Sequence, residues 1–287
     1  MSGSGPAPAE RPYAGPMSSV PTLALRDGTT IPQLGFGTWR ISDDEAQAAV
    51  EQALEVGYRH IDTAALYGNE TGIGRALAAA DIPRDQLYLA TKVWNDRQLE
   101  ARASLEESLT MLGVDSVDLF LIHWPHPAAD TYVRCWRDLV KLREEGLTRS
   151  IGVCNFNVAH LQRLKDETRE MPVVNQVELH PSFTQHHLED YGADHGIVTE
   201  AWAPIGRGGD LGAAAVVEIA RRLGRTPAQV ILRWHLQQGR VVFPKSVRVE
   251  RIRENFDVLD FELDADDLIR IDAVDTGNRI GPDPDVM

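Results

Sequence analysis

Residues 33–62 read QLGFGTWRISDDEAQAAVEQALEVGYRHID. The stretch opens on a short apolar run, Gln33 to Thr38, and closes on another, His60 to Asp62, with a helical pattern between them. Ser42 and Glu45 stand three apart, the spacing of a capping box. Ala46, Ala49, Val50, Ala53 and Leu54 follow at i, i+3, i+4, i+7 and i+8, one face of a helix, and Gly57 can take the left-handed stop. The unit is strand, helix, strand, the crossover that parallel strands require. The same stretch separates the two folds built from such units. A doubly wound sheet that binds a dinucleotide carries G-x-G-x-x-G after its first strand, and here Gly35 and Gly37 are followed by Arg40 where the third glycine belongs.

Working outward, further short apolar or β-branched runs recur at Leu87 to Lys92, Val117 to His123, Arg149 to Cys154, Val173 to Glu178, Ile197 to Ala203 and Val241 to Lys245. The eight candidate strands end near residues 38, 62, 92, 123, 154, 178, 203 and 245, so successive ends lie 24 to 42 residues apart. That is one strand, one helix and two short loops. Between them, Leu105, Leu109 and Leu112 form an apolar stripe ended by Gly113, and Val216, Val217, Ala220 and Leu223 form another ended by Gly224. Eight such units match the roughly 250 residues of a single (β/α)8 TIM barrel. The expected organisation is one α/β barrel over residues 21–287, with an N-terminal β-hairpin or short disordered extension. Residues 1–20 are Gly, Pro, Ser and Ala-rich, and Met17 is an alternative start.

Composition limits the partners. Of 287 residues, 29 are Lys or Arg and 43 are Asp or Glu, a net charge of −14, which repels nucleic acid and anionic lipid surfaces. An anionic ligand must find a local basic pocket. Two cysteines, Cys135 and Cys154, are too few for a disulfide scaffold or a four-cysteine zinc site, and the expectation is a reduced, cytoplasmic compartment with no metal. No apolar run reaches the roughly 18 residues of a membrane span. No feature of the sequence encodes an oligomeric state, and a monomer is the simplest expectation.

Barrel chemistry sits at the C-terminal ends of strands. Asp62, Lys92 and His123 end the second, third and fourth candidate strands, and Tyr67 follows Asp62 by five residues. Together they form a proton-transfer set: a phenol whose ordinary pKa is about 10, an ammonium that would lower it, a carboxylate that holds the ammonium, and an imidazole that can hydrogen-bond a carbonyl oxygen. Each has a plainer reading: Asp and Lys at strand ends cap helices or form rim ion pairs, His123 between Ile122 and Trp124 can be a core histidine, and Tyr67 can be packing. Only the coincidence at successive rims favours chemistry. A second chemical reading makes Lys92 a Schiff-base lysine, which a neighbouring Asp62 would keep protonated and unreactive.

At these residues the chain resembles the aldo-keto reductases. Gly57-Tyr58-Arg59-His60-Ile61-Asp62-Thr63-Ala64 running to Tyr67-Gly68-Asn69-Glu70, then Asp118-Leu119-Phe120-Leu121-Ile122-His123-Trp124-Pro125, then Pro244-Lys245-Ser246 are similar to that family's signatures in order, over about residues 23–284. Within the family, His123-Trp124-Pro125 with Pro127-Ala128-Ala129-Asp130, and Gly146-Leu147-Thr148-Arg149-Ser150-Ile151-Gly152-Val153, resemble the bacterial 2,5-diketo-D-gluconate reductase group. The resemblance implies NADPH-dependent reduction of small aldehydes or ketones, including dicarbonyls and keto acids. It implies Tyr67 as general acid, Lys92 and Asp62 lowering its pKa, and His123 orienting the carbonyl.

It also implies Asn155 and Gln176 on the nicotinamide carboxamide, Trp202 stacked on the ring, Lys245, Ser246, Arg248 and Arg251 on a 2′-phosphate, and Asn255 with Glu254 near the adenine. Independently of the family, Lys245, Arg248, Arg251 and Arg253 concentrate positive charge in an acidic chain, and Ser246 and Val247 add backbone donors suited to a phosphate. The alternatives are core packing for Trp202 and a solvated helix face for the arginines, and Arg253 reads as surface. The family usually has serine before the asparagine, where this chain has Cys154. Trp39, Trp94 and Trp124 each follow a candidate strand and can wall the substrate pocket or simply pack its rim. The short 125–130 segment implies an open site, and residues 278–287 are a candidate cover for it. A chain with this pocket can also serve as an NADPH-binding sensor or regulatory subunit with little catalysis.

Overall fold

A computed structural model describes residues 20–287, so the expected disordered extension over residues 1–20 lies, Val20 apart, outside the described residues. The chain opens with a hairpin, β1 (Thr22–Ala24) and β2 (Thr30–Pro32). Alternation then runs β3 (Phe36–Gly37), α1 (Asp43–Val56), β4 (His60–Asp62), α2 (Glu70–Ala79), β5 (Tyr88–Val93), α3 (Ala101–Leu112), β6 (Val117–Ile122) and α4 (Tyr132–Glu144). It continues with β7 (Thr148–Cys154), α5 (Val158–Thr168), β8 (Val174–Glu178), α6 (His186–Asp194), β9 (Val198–Trp202), α7 (Ala214–Leu223) and α8 (Pro227–Gln237). β10 (Val241–Val242), α9 (Val249–Phe256) and α10 (Ala265–Asp272) complete it.

Strands β3 to β10 pair in chain order as one eight-stranded sheet, every pair parallel. A parallel bridge from Leu34 to Val242 closes the sheet on itself, with the Gly35 amide donating to Val242 O and the Val242 amide to Gln33 O, both at 2.8 Å. The fold is the (β/α)8 barrel with the N-terminal hairpin. Both closing strands are shorter than their apolar runs. Pro244 has no N–H to extend the ladder, so β10 ends early, and Gly37 donates only weakly, at 3.5 Å, to Pro244 O. The longest separation of strand ends, the 42 residues before the end of the last candidate strand, is explained by two helices, α7 and α8, in place of one.

Helix α1 buries Ala46, Ala49, Val50, Ala53 and Leu54, and Gly57 ends it at φ +124°. Its start differs from the capping-box expectation: the Ser42 hydroxyl donates to Glu45 Oε2 at 2.8 Å instead of accepting from the helix backbone. Apolar residues fill two layers. One lies between sheet and helices and includes Trp136, Trp234 and Phe120; the other fills the barrel with Leu119, Leu121, Val174, Val241 and Phe243. Complete burial of one such side chain is worth about 1.5–3 kcal/mol. Leu25 and Ile31 of the hairpin join the inner layer, and Ser150 donates to Asp27 at 2.7 Å, so the hairpin plugs the N-terminal end. The C-terminal end is left for a site.

Candidate active site

Asp62 closes β4, Lys92 lies near the end of β5 and His123 directly follows β6, so three neighbouring strands deliver them to one rim. Tyr67 ends a single 3₁₀ turn, Ala65–Tyr67, that Gly68 stops at φ +66°. Asn69 fixes that loop from below: its Nδ2 donates to Thr38 O and Ile41 O at 2.9 Å, and its Oδ1 accepts from Thr63 at 3.0 Å. Lys92 is completely buried, and its Nζ donates to Asp62 Oδ1 and Oδ2 at 2.7 and 2.8 Å and to Thr63 O at 2.7 Å. The ammonium is 5.3 Å from the centroid of the Tyr67 ring, which in turn lies 5.7 Å from the His123 ring. The four residues meet at one rim of the barrel.

Their ionisation is set by competition between burial and charge. Burial alone would push the Lys92 ammonium down, but the Asp62 carboxylate overcomes it and holds the group above its ordinary value. Lys92 is therefore protonated, which disfavours its use as a Schiff-base nucleophile. For Tyr67 the expectation of a lowered pKa is corrected: burial raises the phenol above its ordinary value, and the Lys92 charge offsets only part of that. Tyr67 is thus a neutral proton donor. Burial first, and then Lys92, push His123 well below the usual histidine range, so its ring is neutral. Its Nδ1 is buried with no partner among the described residues, which leaves Nε2 to face the pocket.

One cavity of about 470 Å³ is lined by Asp62, Tyr67, His123, Asn155, Gln176, Trp202, Lys245 and Asn255 together with Trp39, Trp94 and Trp124. Asn155 follows β7 at φ +62°, a left-handed conformation that asparagine tolerates better than most residues. Its Nδ2 donates to His123 O at 3.0 Å and its Oδ1 accepts from Trp202 Nε1 at 2.7 Å. Gln176 Nε2 donates to Asp62 Oδ1 at 2.9 Å and to Glu200 Oε2 at 3.0 Å. Asn155 thus keeps one amide hydrogen, and Gln176 its carbonyl oxygen, for a ligand in the cavity. One donor beside one acceptor complements a primary carboxamide. Cys154 is buried, and burial raises its thiol well above the ordinary value, so it stays neutral as a serine would.

After β10, Lys245, Arg248, Arg251 and Arg253 are all exposed and form no ion pair among the described residues. Ser246 is buried and shapes the turn, its hydroxyl accepting from the Arg248 amide at 3.0 Å, while Val247 is 44% exposed. Lys245 and Asn255 reach the cavity wall; Ser246, Val247, Arg248, Arg251 and Glu254 lie outside it. Glu254 is occupied elsewhere, accepting from Thr226 at 2.6 Å and tying α9 to the start of α8. Arg253 also lies outside the wall.

The walls combine residues that the sequence points to with others that it does not. Trp39 is flanked by the guanidiniums of Arg40 and Arg207, 4.3 and 5.1 Å from its ring. Leu66, Ala203, Pro204, Ile205, Arg207 and Phe243 also line the cavity, Ala203 and Arg207 at positive φ. Pro282 and Met287 line it too, so the C-terminal segment does lie over the opening, and the site is less open than the short 125–130 loop implies. Buried Glu178 anchors that segment by accepting from the Ile280 and Gly281 amides at 2.5 and 2.8 Å. Glu178 is itself paired with buried His180, whose other nitrogen meets Asp210 at 2.9 Å. A Cβ on Gly281 would come within 2.4 Å of the Trp202 ring and 2.6 Å of Glu178, so only glycine fits there.

Among the described residues no helix is long and apolar enough to cross a membrane, and no group of three His, Cys, Asp or Glu side chains could hold a metal ion. The sequence profile of the Aldo/keto reductase family matches residues 33–215 and 210–276. The methylglyoxal reductase DkgA of Yersinia pestis is 52% identical over 273 residues, 94% of this chain and 99% of its own. The protein of that name from Escherichia coli strain K12 is 50% identical over 271 residues, covering 94% and 98%. A Gox0644 variant solved in complex with NADPH superposes with a TM-score of 0.91 at 44% identity, covering 94% of this chain and 99% of that one.

Proposed function

The chain belongs to the aldo/keto reductase family, an NADPH-dependent oxidoreductase that reduces carbonyls, and from that membership we propose which of its residues do the work and on what. Tyr67 is the general acid, Lys92 and Asp62 set its charge environment, and His123 orients the carbonyl. The observation that carries this reading is the buried Lys92–Asp62 pair held against a neutral phenol and a neutral imidazole at one cavity wall. Bound NADPH supplies a hydride from C4 of its nicotinamide to the carbonyl carbon.

The residues present fit that cofactor. Asn155 offers a donor and Gln176 an acceptor to the carboxamide, and Trp202, its edge fixed by Asn155, offers a face to the ring. Lys245, Arg248 and Arg251 are free to take a 2′-phosphate, and the Ser246–Val247 turn presents main-chain donors beside them. Asn255 stands at the adenine side. Glu254, held by Thr226, braces α9 from behind instead of reaching for the base.

For the proton, the neutral His123 donates from Nε2 to the substrate oxygen and draws it toward Tyr67. As negative charge develops on that oxygen, the phenol hydrogen transfers to it, and the nearby Lys92 ammonium stabilises the resulting tyrosinate. Burial that raises the Tyr67 pKa keeps the proton in place until the oxygen becomes basic enough to take it. Trp39, Trp94 and Trp124 form apolar walls with few polar anchors, suited to small aldehydes, ketones and vicinal dicarbonyls. We place methylglyoxal, the substrate named for the curated relatives, and keto acids in that class. Residues 21–287 act as one catalytic domain.

The test is NADPH consumption with methylglyoxal, 2,5-diketo-D-gluconate and an aromatic aldehyde, beside NADH controls. Turnover that Tyr67→Phe abolishes while NADPH still binds supports the assignment. Binding without turnover on any carbonyl would favour a sensor instead.

A further inference from the structure

Glu200 has no place in the mechanism above, yet it is completely buried inside the barrel. It sits on β9 directly opposite Gln176 of β8 in the strand register. Its Oε2 accepts from Gln176 Nε2 at 3.0 Å, and the same nitrogen donates to Asp62 Oδ1 at 2.9 Å. With the 2.7 Å bond from Lys92 to Asp62, a continuous row of Lys92, Asp62, Gln176 and Glu200 runs from beneath Tyr67 into the interior. An amide nitrogen has two hydrogens, and here two carboxyl groups take both. The Gln176 oxygen can then point only to the cavity that Gln176 lines.

Packing does not explain the residue. A leucine or valine would fill an interior strand position with no polar group to desolvate, whereas Glu200 forms no ion pair and its Oε1 has no partner among the described residues. We propose that Glu200 is a positioning residue for carbonyl reduction: it locks the Gln176 amide with its oxygen toward the nicotinamide carboxamide, and ties that amide to the Asp62–Lys92 pair. The inference rests on the assignment of Gln176 to the carboxamide and adds what holds the amide in that orientation.

The titratable groups that face Glu200 are Asp62, Lys92, Tyr88 and Cys154. Burial first, then the Asp62 charge, raise its carboxyl to about 8. Below that pH it is neutral and accepts from Gln176 without adding a second negative charge to the row. Above it, ionised Glu200 competes with Asp62 for the amide and adds negative charge under an anionic cofactor.

The experiment measures NADPH dissociation constants by fluorescence titration across about pH 6–9.5, with kcat and KM in parallel, for wild type, Glu200→Leu and Glu200→Gln. In wild type, affinity is expected to weaken as pH rises through about 8. Glu200→Leu, which removes the acceptor, is expected to weaken NADPH binding roughly three- to tenfold at neutral pH, the worth of one hydrogen bond. Glu200→Gln keeps an acceptor oxygen but cannot ionise, so it is expected to restore affinity relative to the leucine variant and to lack the alkaline weakening. Wild-type affinity and an unchanged pH profile in both variants would overturn the inference while leaving the reductase reading intact. If Glu200→Leu does not fold, an alkaline weakening that persists in Glu200→Gln is sufficient to overturn it. A wild type that neither binds NADPH nor turns over would remove the reading on which it rests.

Discussion

At the scale of single residues, the site depends on one buried ion pair. Asp62 and Lys92 are both out of solvent and bond at 2.7 Å, so removing one partner strands the other. Lys92→Met is expected to cost about 3–5 kcal/mol of stability as well as turnover, read as a fall in urea midpoint beside the loss of activity; an unchanged midpoint would contradict the geometry. The residues of this set were legible because they fall at strand ends, a position that the sequence period locates. The ionisation of Tyr67 was not legible. Spacing shows that a lysine is near, but only the packed cavity shows that desolvation outweighs it. Glu200 was missed for a related reason: one glutamate in Val198-Thr199-Glu200-Ala201-Trp202 looks like an outward polar position, and only the sheet register turns it inward toward Gln176. At the phosphate side, Arg248 and Arg251 have no carboxylate partner among the described residues. Arg248→Ala is expected to weaken NADPH binding by about 1.5–3 kcal/mol, the worth of a charge-assisted hydrogen bond, and to leave NADH binding unchanged. Equal weakening of both cofactors would place the 2′-phosphate elsewhere.

At the scale of elements, local signals predicted most of what formed. The apolar face of α1 and its Gly57 stop both appear in the structure, and the long interval before the last strand resolves into α7 and α8. Strand ends were less legible where the barrel closes, since Pro244 ends the β10 ladder through a missing donor. Residues 278–287 were legible as a candidate cover for the site, but what holds them there was not. Their anchor joins Glu178 to Ile280 and Gly281 across 102 and 103 residues, and no local pattern encodes such a contact. Because Pro282 and Met287 line the cavity, Glu178→Ala should free the segment. KM for small carbonyls is expected to rise, with a stability loss of about 1–3 kcal/mol from the unpaired tail amides and His180. Unchanged KM values would show that the segment does not shape the substrate site.

At the scale of the whole molecule, the eightfold alternation was legible because each strand and helix repeats at barrel length, and closure through Leu34 and Val242 completes it. Buried ionisation also leaves a mark on global stability. Glu200 has its carboxyl raised from 4.5 to about 8, so the folded state holds that proton longer than the unfolded chain does. Its contribution is therefore fully present below about pH 4.5 and declines as pH rises toward 8. Glu200→Gln is expected to flatten that decline in urea unfolding across the same window, and an equal decline in both proteins would contradict a raised carboxyl. Tyr67 is the proposed proton donor in NADPH-dependent carbonyl reduction. The most direct measurement is the rate of methylglyoxal reduction by wild type and Tyr67→Phe, with NADPH binding titrated in the same samples. A fall in kcat of about 10²–10⁴ with NADPH affinity preserved is expected for Tyr67→Phe; a variant that keeps most of its turnover would rule out Tyr67 as the proton donor.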